Sequence, residues 1–196
     1  ISCSLVGSEM CIRDRGTMKA MYMVTMGFLS AILLIGQVGM AALPNIEPVT
    51  MLIIVYTLIY RKQVFYIIYT FVILEGLIYG FGIWWFSYLY IWTILAVIVL
   101  LMKKNQSVLM WVVVAGAYGL AFGFLCAIPY FISGGWGAGI AYWMSGIPYD
   151  ITHCIGNTVL TALLFKPVYN VLNKMHTAQL VYMTNVEKTQ GQKNTP

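Results

Sequence analysis

Charged residues are scarce in this sequence. They make up 9% of the 196 residues, whereas a typical soluble domain has about 25%. Apolar residues make up 61% of the chain and form long runs between short polar stretches. This composition excludes an ordinary soluble enzyme and predicts an integral membrane protein with several spans.

Cysteine is also sparse, and familiar catalytic motifs are missing from the sequence. Of the four cysteines, Cys126 and Cys154 lie within apolar segments, so we expect neither a disulfide framework nor a Cys-x-x-Cys metal site. There is no His-Glu-x-x-His motif and no Walker motif. The sequence therefore predicts no resident metal ion and no cofactor, and any energy from ATP would come from a partner protein.

The first 17 residues differ from the rest of the chain. The stretch from Ser4 to Arg15 resembles the translation of a sequencing adapter, and Cys3 and Cys11 belong to the same tail. Residues 1–17 are therefore expected to be a non-native, adapter-like tail. We expect the native protein to begin at Met18.

Six apolar segments follow this tail, at about residues 21–42, 49–60, 64–81, 84–102, 108–131 and 146–165. The second is short, about 20 Å of helix against a hydrocarbon core of about 30 Å, so the loop before it should lie at membrane depth. The Gly-rich residues 133–139 are expected to form a flexible loop. The predicted fold is all-α, with a six-transmembrane-helix bundle over residues 18–174 and a polar, disordered cytoplasmic tail at 175–196.

The basic residues predict how this bundle is oriented. Six spans place both termini on one side, and every lysine and arginine after residue 18 falls on that side. The loops near residues 43–48, 80–86 and 132–145 hold none. The positive-inside rule therefore predicts that both termini are cytoplasmic. Because the charges lie in short clusters between apolar runs, the net charge of +5 does not indicate a nucleic-acid partner.

Three polar residues share one face of the last apolar segment. Asp150, His153 and Asn157 recur at intervals of three and four residues, which aligns them along a helix. Ser145 is suited to cap this helix, and Pro148 is suited to its first turn. Polar side chains at membrane depth are costly, so we expect these three to have partners.

The rise of an α-helix predicts which residues lie at the same depth. Glu75 and His153 are each thirteen residues from a cytoplasmic lysine, which places both about 20 Å above it. Glu47 falls close to the same depth, so these residues form a polar layer. We expect Asp150 to contact a ligand, His153 to pair with Glu75, and Asn157 to make an interior bond.

Three interpretations of this polar layer remain open. It is a network that fixes the bundle, a metal or proton-handling site, or an outward-facing ligand pocket. The density of Trp and Tyr at the outer end favours the pocket, because aromatic rings suit flat heteroaromatic ligands. The candidate substrate-binding residues are Asn45, Glu47, Glu75, Tyr79, Trp85, Tyr88, Trp92, Trp136, Trp143, Asp150, His153 and Asn157.

Three stretches of sequence carry a family resemblance. They are Leu43-Pro-Asn-Ile-Glu-Pro-Val-Thr50, Glu75-Gly-Leu-Ile-Tyr-Gly80, and Gly146-Ile-Pro-Tyr-Asp-Ile-Thr-His153 with Asn157. Together with six short hydrophobic segments, they resemble the S component of energy-coupling factor (ECF) transporters, the membrane subunit that binds a vitamin. The resemblance covers about residues 18–174.

The resemblance implies a function and a set of partners. Such a subunit is not an enzyme; it captures a vitamin-like molecule with high affinity at the outer face of the bacterial plasma membrane. It then associates with a transmembrane coupling subunit and two cytoplasmic ATPases. The family docks on its coupling subunit through an Ala-x-x-x-Ala face of the first helix, and Gly27 and Ala31 match these positions. Gly27 departs from the pattern but keeps a small residue there.

The sequence leaves the substrate open. Three carboxylates and the lack of Lys or Arg in the outer half favour a ligand with positive charge or hydrogen-bond donors over a strongly anionic one. Cobalamin, thiamine-like, pyridoxine-like and pyrimidine-precursor ligands all satisfy this condition. The alternative function is an intramembrane enzyme, or a proton- or metal-handling protein, that uses Glu75, Asp150 and His153.

Overall fold

The computed structural model describes the backbone of residues 3–43, 45–105 and 107–193, and the side chains of residues 20–43, 45–105 and 107–186. Within these ranges the chain is helical and has no strand. This confirms the predicted all-α class. The elements are α1 (Cys3–Gly39), α2 (Val49–Tyr60), a 3-10 turn (Arg61–Gln63), α3 (Val64–Tyr79), α4 (Ile83–Leu101) and α5 (Val108–Lys193).

The α5 stretch consists of two helices joined at Gly135, where the chain folds back. This residue has φ 73° and ψ −175°, a conformation that glycine adopts without a steric penalty. Beyond it the chain runs antiparallel to the preceding residues, since Tyr130 stacks on Tyr142 with ring centroids 4.0 Å apart. Further from the turn, Asn157 Nδ2 donates to the carbonyl of Ala115. We call residues 108–134 the first limb of α5 and residues 136–193 the second limb.

Three expectations about the chain near this turn are wrong. The predicted flexible loop at residues 133–139 is wrong, because helix extends to both sides of Gly135. Pro148 lies inside the second limb and not in the first turn of a helix. Likewise, the Ser145 hydroxyl donates to the carbonyl of Tyr142 and caps no helix start.

The helices alternate in direction along the chain. Ser30 of α1 donates to the carbonyl of Ile67 of α3 at 3.0 Å, and further along both helices Gln37 and Glu75 line one cavity, so α1 and α3 are parallel. Between them α2 runs the opposite way, because its start lies near Gly36 and its end shares a cavity with Tyr22. The reversal from α2 to α3 occurs at Arg61, whose φ is 55°.

Helix α4 and the first limb of α5 continue this alternation. Trp85, near the start of α4, donates to the carbonyl of Val72, and Thr93 further along bonds Tyr69 near the start of α3. The first limb then packs antiparallel to α4. Two tyrosine hydroxyls connect them, since Tyr118 donates to the carbonyl of Ile91 and Tyr90 donates to that of Leu125.

Helix α2 forms the centre of the protein. Every residue of α2 except Leu58 is buried, whereas α1, α3 and α5 carry many exposed apolar side chains. Four stretches are long and apolar enough to cross a membrane: Ala20–Gly39, Val49–Tyr79, Ile83–Leu101 and Val108–Val186. An apolar exterior of this kind is consistent with a membrane protein. The second and fourth stretches contain the reversals at Arg61 and Gly135.

Helix extends toward both ends of the chain beyond residues 18–174. The expected disordered tail is helical as far as Lys193. Part of this tail packs against α1 and α2. The ring centroids of His176 and Tyr60 are 4.7 Å apart in an edge-on arrangement, and Gln179 donates to the hydroxyl of Thr25. At the other end α1 begins at Cys3, within the adapter-like residues, whose non-native origin stays a prediction.

Candidate functional site

Positive and negative charges lie at opposite ends of the bundle. Arg61 and three lysines line cavities at the end where α2 finishes. The carboxylates Glu47, Glu75 and Asp150 line cavities at the end where α2 begins. These three are the only Asp or Glu residues between positions 20 and 186. The candidate site is therefore acidic, and its walls carry no Lys or Arg.

The first of its cavities, which we call the acidic cavity, has a volume of about 340 Å³. It lies between the end of α1, the loop before α2, the end of α3 and the start of α4. Its size is at the lower end of the range for small-molecule sites. The residues that line it are Gln37, Met40, Ala41, Leu43, Asn45, Ile46, Glu47, Glu75, Tyr79, Trp84 and Tyr88. Two carboxylates and three aromatic rings thus face one space.

A second cavity, which we call the hairpin cavity, has a volume of about 300 Å³ and lies beside the two limbs of α5. Its lining comprises Asn45, Phe122, Gly123, Cys126, Tyr142, Ser145, Gly146, Tyr149 and Asp150. The sequence predicted that Asp150 and Glu75 share one pocket. The structure places them at two neighbouring cavities.

The loop before α2 separates these cavities. Asn45 lines both of them, and its Nδ2 donates to the carbonyl of Tyr149 at 3.2 Å. Its φ of 57° is one that asparagine tolerates better than most residues. Ile46 lies against Gly156 of the second limb. The loop is therefore held to α5 on one side and contributes Glu47 to the acidic cavity on the other.

A row of aromatic rings runs through the bundle behind the cavities. The ring centroids of Tyr88 and Trp92 are 5.6 Å apart, and those of Trp92 and Phe122 are also 5.6 Å apart. The centroids of the Phe122 and His153 rings are 4.7 Å apart. The structure therefore brings together three predicted site residues from α4 and α5. Sequence reasoning missed Phe122, which joins them, because an aromatic residue in an apolar segment carries no distinguishing signal.

Gln37 is a second residue that sequence reasoning missed. It lines the acidic cavity, and its Nε2 donates to the Tyr88 hydroxyl at 3.2 Å. A signal was present in the sequence, since Gln37 is a lone amide near the end of an apolar segment. An amide at membrane depth is costly and marks a polar contact or a functional site.

Several buried polar atoms of these residues have no hydrogen-bond partner within the part of the chain that the structure describes. They are Gln37 Oε1, Glu75 Oε1, Trp92 Nε1, Asp150 Oδ2, His153 Nδ1, His153 Nε2 and Asn157 Oδ1. Each unsatisfied buried group costs about 1–3 kcal/mol, and native proteins contain few of them. Seven of the twelve buried polar atoms without a partner in the described chain belong to these residues, and the other five lie on Thr50, Tyr56, Ser87, Thr161 and His176.

We compare the predicted contacts of the three polar residues on α5 with those in the structure. Asn157 makes the interior bond that the sequence predicted, to the carbonyl of Ala115 at 3.2 Å. Asp150 accepts the backbone N–H of Gly123 at 2.8 Å through Oδ1, and its Oδ2 has no partner among the described residues. The predicted pair of His153 with Glu75 is wrong, because His153 packs against Phe122 and forms no hydrogen bond within the described residues.

Four predicted aromatic residues do not line either cavity, and one of them, Trp92, lies in the row of rings behind the cavities. Trp136 follows the Gly135 turn, is 79% exposed and contacts Phe131. Trp143 lies edge-on to Phe124. Trp85 donates to the carbonyl of Val72 and contacts Phe81, so it connects α4 to α3. Tyr79, Tyr88 and Trp84 provide the aromatic walls instead.

The remaining predictions concern metal binding and docking. Among the residues whose side chains are described, no group of three His, Cys, Asp or Glu residues is arranged to hold a metal ion.

Gly27 is exposed on α1, and a Cβ atom added there would meet no atom within 4 Å. Ala31, one turn along, is half-buried. This small-residue face is thus open to a neighbouring helix.

Comparison with known proteins identifies no relative of this chain. No protein-family model, curated protein or solved structure matches it. A functional interpretation must therefore be argued from the two cavities and the residues around them.

Proposed function

We propose that this chain is the substrate-binding subunit of an ECF-type importer, with six membrane spans and both termini in the cytoplasm. It captures a vitamin-like molecule at the outer face of the bacterial plasma membrane. It then docks on a transmembrane coupling subunit that works with two cytoplasmic ATPases. One observation carries the proposal: Glu75 and Asp150, two predicted site residues with buried oxygens that have no partner among the described residues, line two neighbouring cavities at the end of the bundle without Lys or Arg.

The charges of the cavities favour one kind of ligand. Glu47 and Glu75 line the acidic cavity, and Asp150 lines the hairpin cavity. Carboxylates bind cations and hydrogen-bond donors through charge-assisted bonds. Tyr79, Trp84 and Tyr88 offer ring faces, which attract cations and stack on flat rings. A heteroaromatic ligand with positive charge or several N–H donors fits this arrangement best.

The orientation of the chain is part of the proposal. Four basic residues line cavities at the end opposite the carboxylates. They lie between α2 and α3, after α4, and near the middle of the second limb: Arg61, Lys62, Lys103 and Lys166. This distribution supports a cytoplasmic location for the basic end. The acidic cavity then opens toward the outer face, where an imported nutrient arrives.

Native mass spectrometry tests the proposed function directly. The full chain is purified in a mild detergent from cells grown with a vitamin mixture and is sprayed intact. We expect a stoichiometric small-molecule adduct that one member of a vitamin panel restores after it has been stripped. A protein that retains none of these molecules, and binds none in the panel, would contradict the proposal.

The variant His153→Phe separates a ligand site from a structural network. Both ring nitrogens of His153 are buried and have no partner among the described residues, so phenylalanine should leave the melting temperature of the empty protein unchanged or higher. Because His153 packs on Phe122, which lines the hairpin cavity, ligand binding should fall by up to about tenfold, the loss of one hydrogen bond. Thermal shift assays with and without ligand measure both effects. Thr57→Val is the matched control, because Thr57 is buried but bonded within α2. If His153 only stabilises the bundle, its variant will melt lower and bind ligand normally.

The variant Gly27→Leu tests the docking face. Because a side chain at Gly27 meets open space in the isolated chain, leucine should leave folding and ligand affinity unchanged. It should block close approach of another helix and so abolish uptake into cells that contain the coupling subunit. Uptake assays and ligand titration on the same variant give the two readouts. Weakened ligand binding, or normal uptake, would count against a docking role.

A further inference from the structure

A cluster of cations lies at the end of the bundle opposite the proposed ligand site. Arg61, Lys62 and Lys103 line a cavity of about 570 Å³. A smaller neighbouring cavity of about 170 Å³ is lined by Arg61 and Lys103 again, together with Lys166. All carboxylates between residues 20 and 186 lie at the other end of the bundle. Within this part of the chain, no carboxylate is available to neutralise these four side chains.

Arg61 occupies a special position in this cluster. It is the residue at which the chain reverses between α2 and α3, with φ 55° and ψ −130°. A residue other than glycine rarely adopts this conformation, and when it does the surrounding structure or a function usually requires it. The turn places Arg61 at the wall shared by both cavities. An anion bound there would contact the arginine whichever cavity it entered.

The larger cavity also has apolar and aromatic walls. Tyr22, Tyr60, Leu100 and Leu180 line it beside the cations. His176 lines it as well, and its buried Nδ1 has no hydrogen-bond partner among the described residues. A small inorganic anion would use only the charged part of such a cavity. A phospholipid uses both parts, with its phosphate on the cations and its glycerol and acyl chains against the apolar walls.

We propose that this basic cavity binds the headgroup of an anionic phospholipid from the adjacent membrane leaflet. Basic pockets between helices are the usual sites for such headgroups, and each basic residue near the membrane surface adds to their affinity. Arg61 and Lys103, which line both cavities, contact the phosphate, while Lys62 in the larger cavity and Lys166 in the smaller one add positive charge nearby. The helical stretch after Pro167, which holds His176 and Leu180, forms one wall. The site is separate from the ligand cavities and does not depend on the proposed transport function.

Lipid retention in native mass spectrometry tests this proposal. The full chain is purified from nanodiscs that contain equal amounts of phosphatidylglycerol and phosphatidylcholine, and bound lipids are counted as detergent is increased. We expect phosphatidylglycerol to be retained selectively. Arg61→Gln and Lys103→Gln should each reduce its retention about fivefold, and together about 25-fold. Lys104→Gln is the matched control, since Lys104 is exposed beside Lys103 but lines neither cavity.

Three outcomes would overturn the proposal. Equal loss in Lys104→Gln would show that the cations act only as a diffuse positive surface. Equal retention of phosphatidylcholine would show that headgroup charge is irrelevant. Displacement of the lipid by millimolar inorganic phosphate would assign the cavity to a small soluble anion. If Arg61→Gln does not fold, as judged by gel filtration, Lys103→Gln alone carries the test.

Discussion

Replacing Glu75 by glutamine should weaken ligand binding by about 10- to 100-fold. Glu75 is 1% exposed, lines the acidic cavity, and has an oxygen without a partner among the described residues. A hydrogen bond to a buried charged group contributes about 1.5–3 kcal/mol, and each 1.4 kcal/mol is a factor of ten in affinity. Glutamine keeps the size of the side chain and removes its capacity for negative charge. Isothermal titration with the ligand retained by the unaltered protein measures the change.

The control for this variant is Lys104→Gln, which removes one charge from an exposed side chain outside the described basic cavities. It should leave ligand affinity within about twofold, as expected for a charge screened by water over such a distance. Glu47→Gln should give a smaller loss than Glu75→Gln, because Glu47 is only partly buried. If Glu75→Gln binds ligand as tightly as the unaltered protein, the acidic cavity is not the site.

Replacing Gly119 by alanine should destabilise the whole protein. An added Cβ would lie 2.7 Å from the backbone nitrogen of Cys154 and 2.8 Å from its Cα. Those atoms belong to the second limb of α5 and cannot rotate away, so the two limbs must separate. Overpacking of this kind costs about 1–3 kcal/mol, and contact with backbone places Gly119→Ala at the upper end. The melting temperature in detergent, followed by tryptophan fluorescence, should fall clearly.

Alanine variants at two other glycines provide comparisons for Gly119→Ala. Gly27→Ala should be neutral or slightly stabilising, because the new methyl group meets open space and alanine favours helix by about 1 kcal/mol. Gly123→Ala should lie between them, since its methyl group meets the Asp150 carboxylate, a side chain that can move. A melting temperature for Gly119→Ala equal to that of Gly27→Ala would mean that the limbs are not packed as closely as described.

The sequence predicted helix positions well where local signals were strong. Helix α2 has its predicted bounds, because Pro48 and Arg61 bracket an uninterrupted apolar run. The hairpin in α5 was harder, since the Gly-rich stretch around Gly135 is typical of a flexible loop. Packing between the limbs, such as the stacked rings of Tyr130 and Tyr142, extends helix up to the turn. Local sequence cannot report a contact between residues on different limbs.

The sequence predicted how far along the bundle axis the site residues lie, but not which neighbours their side chains face. Helical rise correctly grouped Glu75, His153 and Asp150 near one end of the bundle, because it measures height along an axis. It contains no information on which neighbour a side chain faces. Hence His153 packs on Phe122 and not on Glu75. The loop at Asn45 also separates Glu75 from Asp150, which no periodicity in the sequence indicates.

The reversal at Gly135 has a consequence for how the chain is made. Asp150 and Asn157 of the second limb bond to backbone atoms of Gly123 and Ala115 of the first limb. If the second limb entered lipid alone, both polar groups would lack these bonds, at a cost of several kcal/mol. For a chain inserted into a membrane during synthesis, we therefore expect the first limb to stay beside the insertion machinery until the second is complete, so that the two limbs enter lipid together.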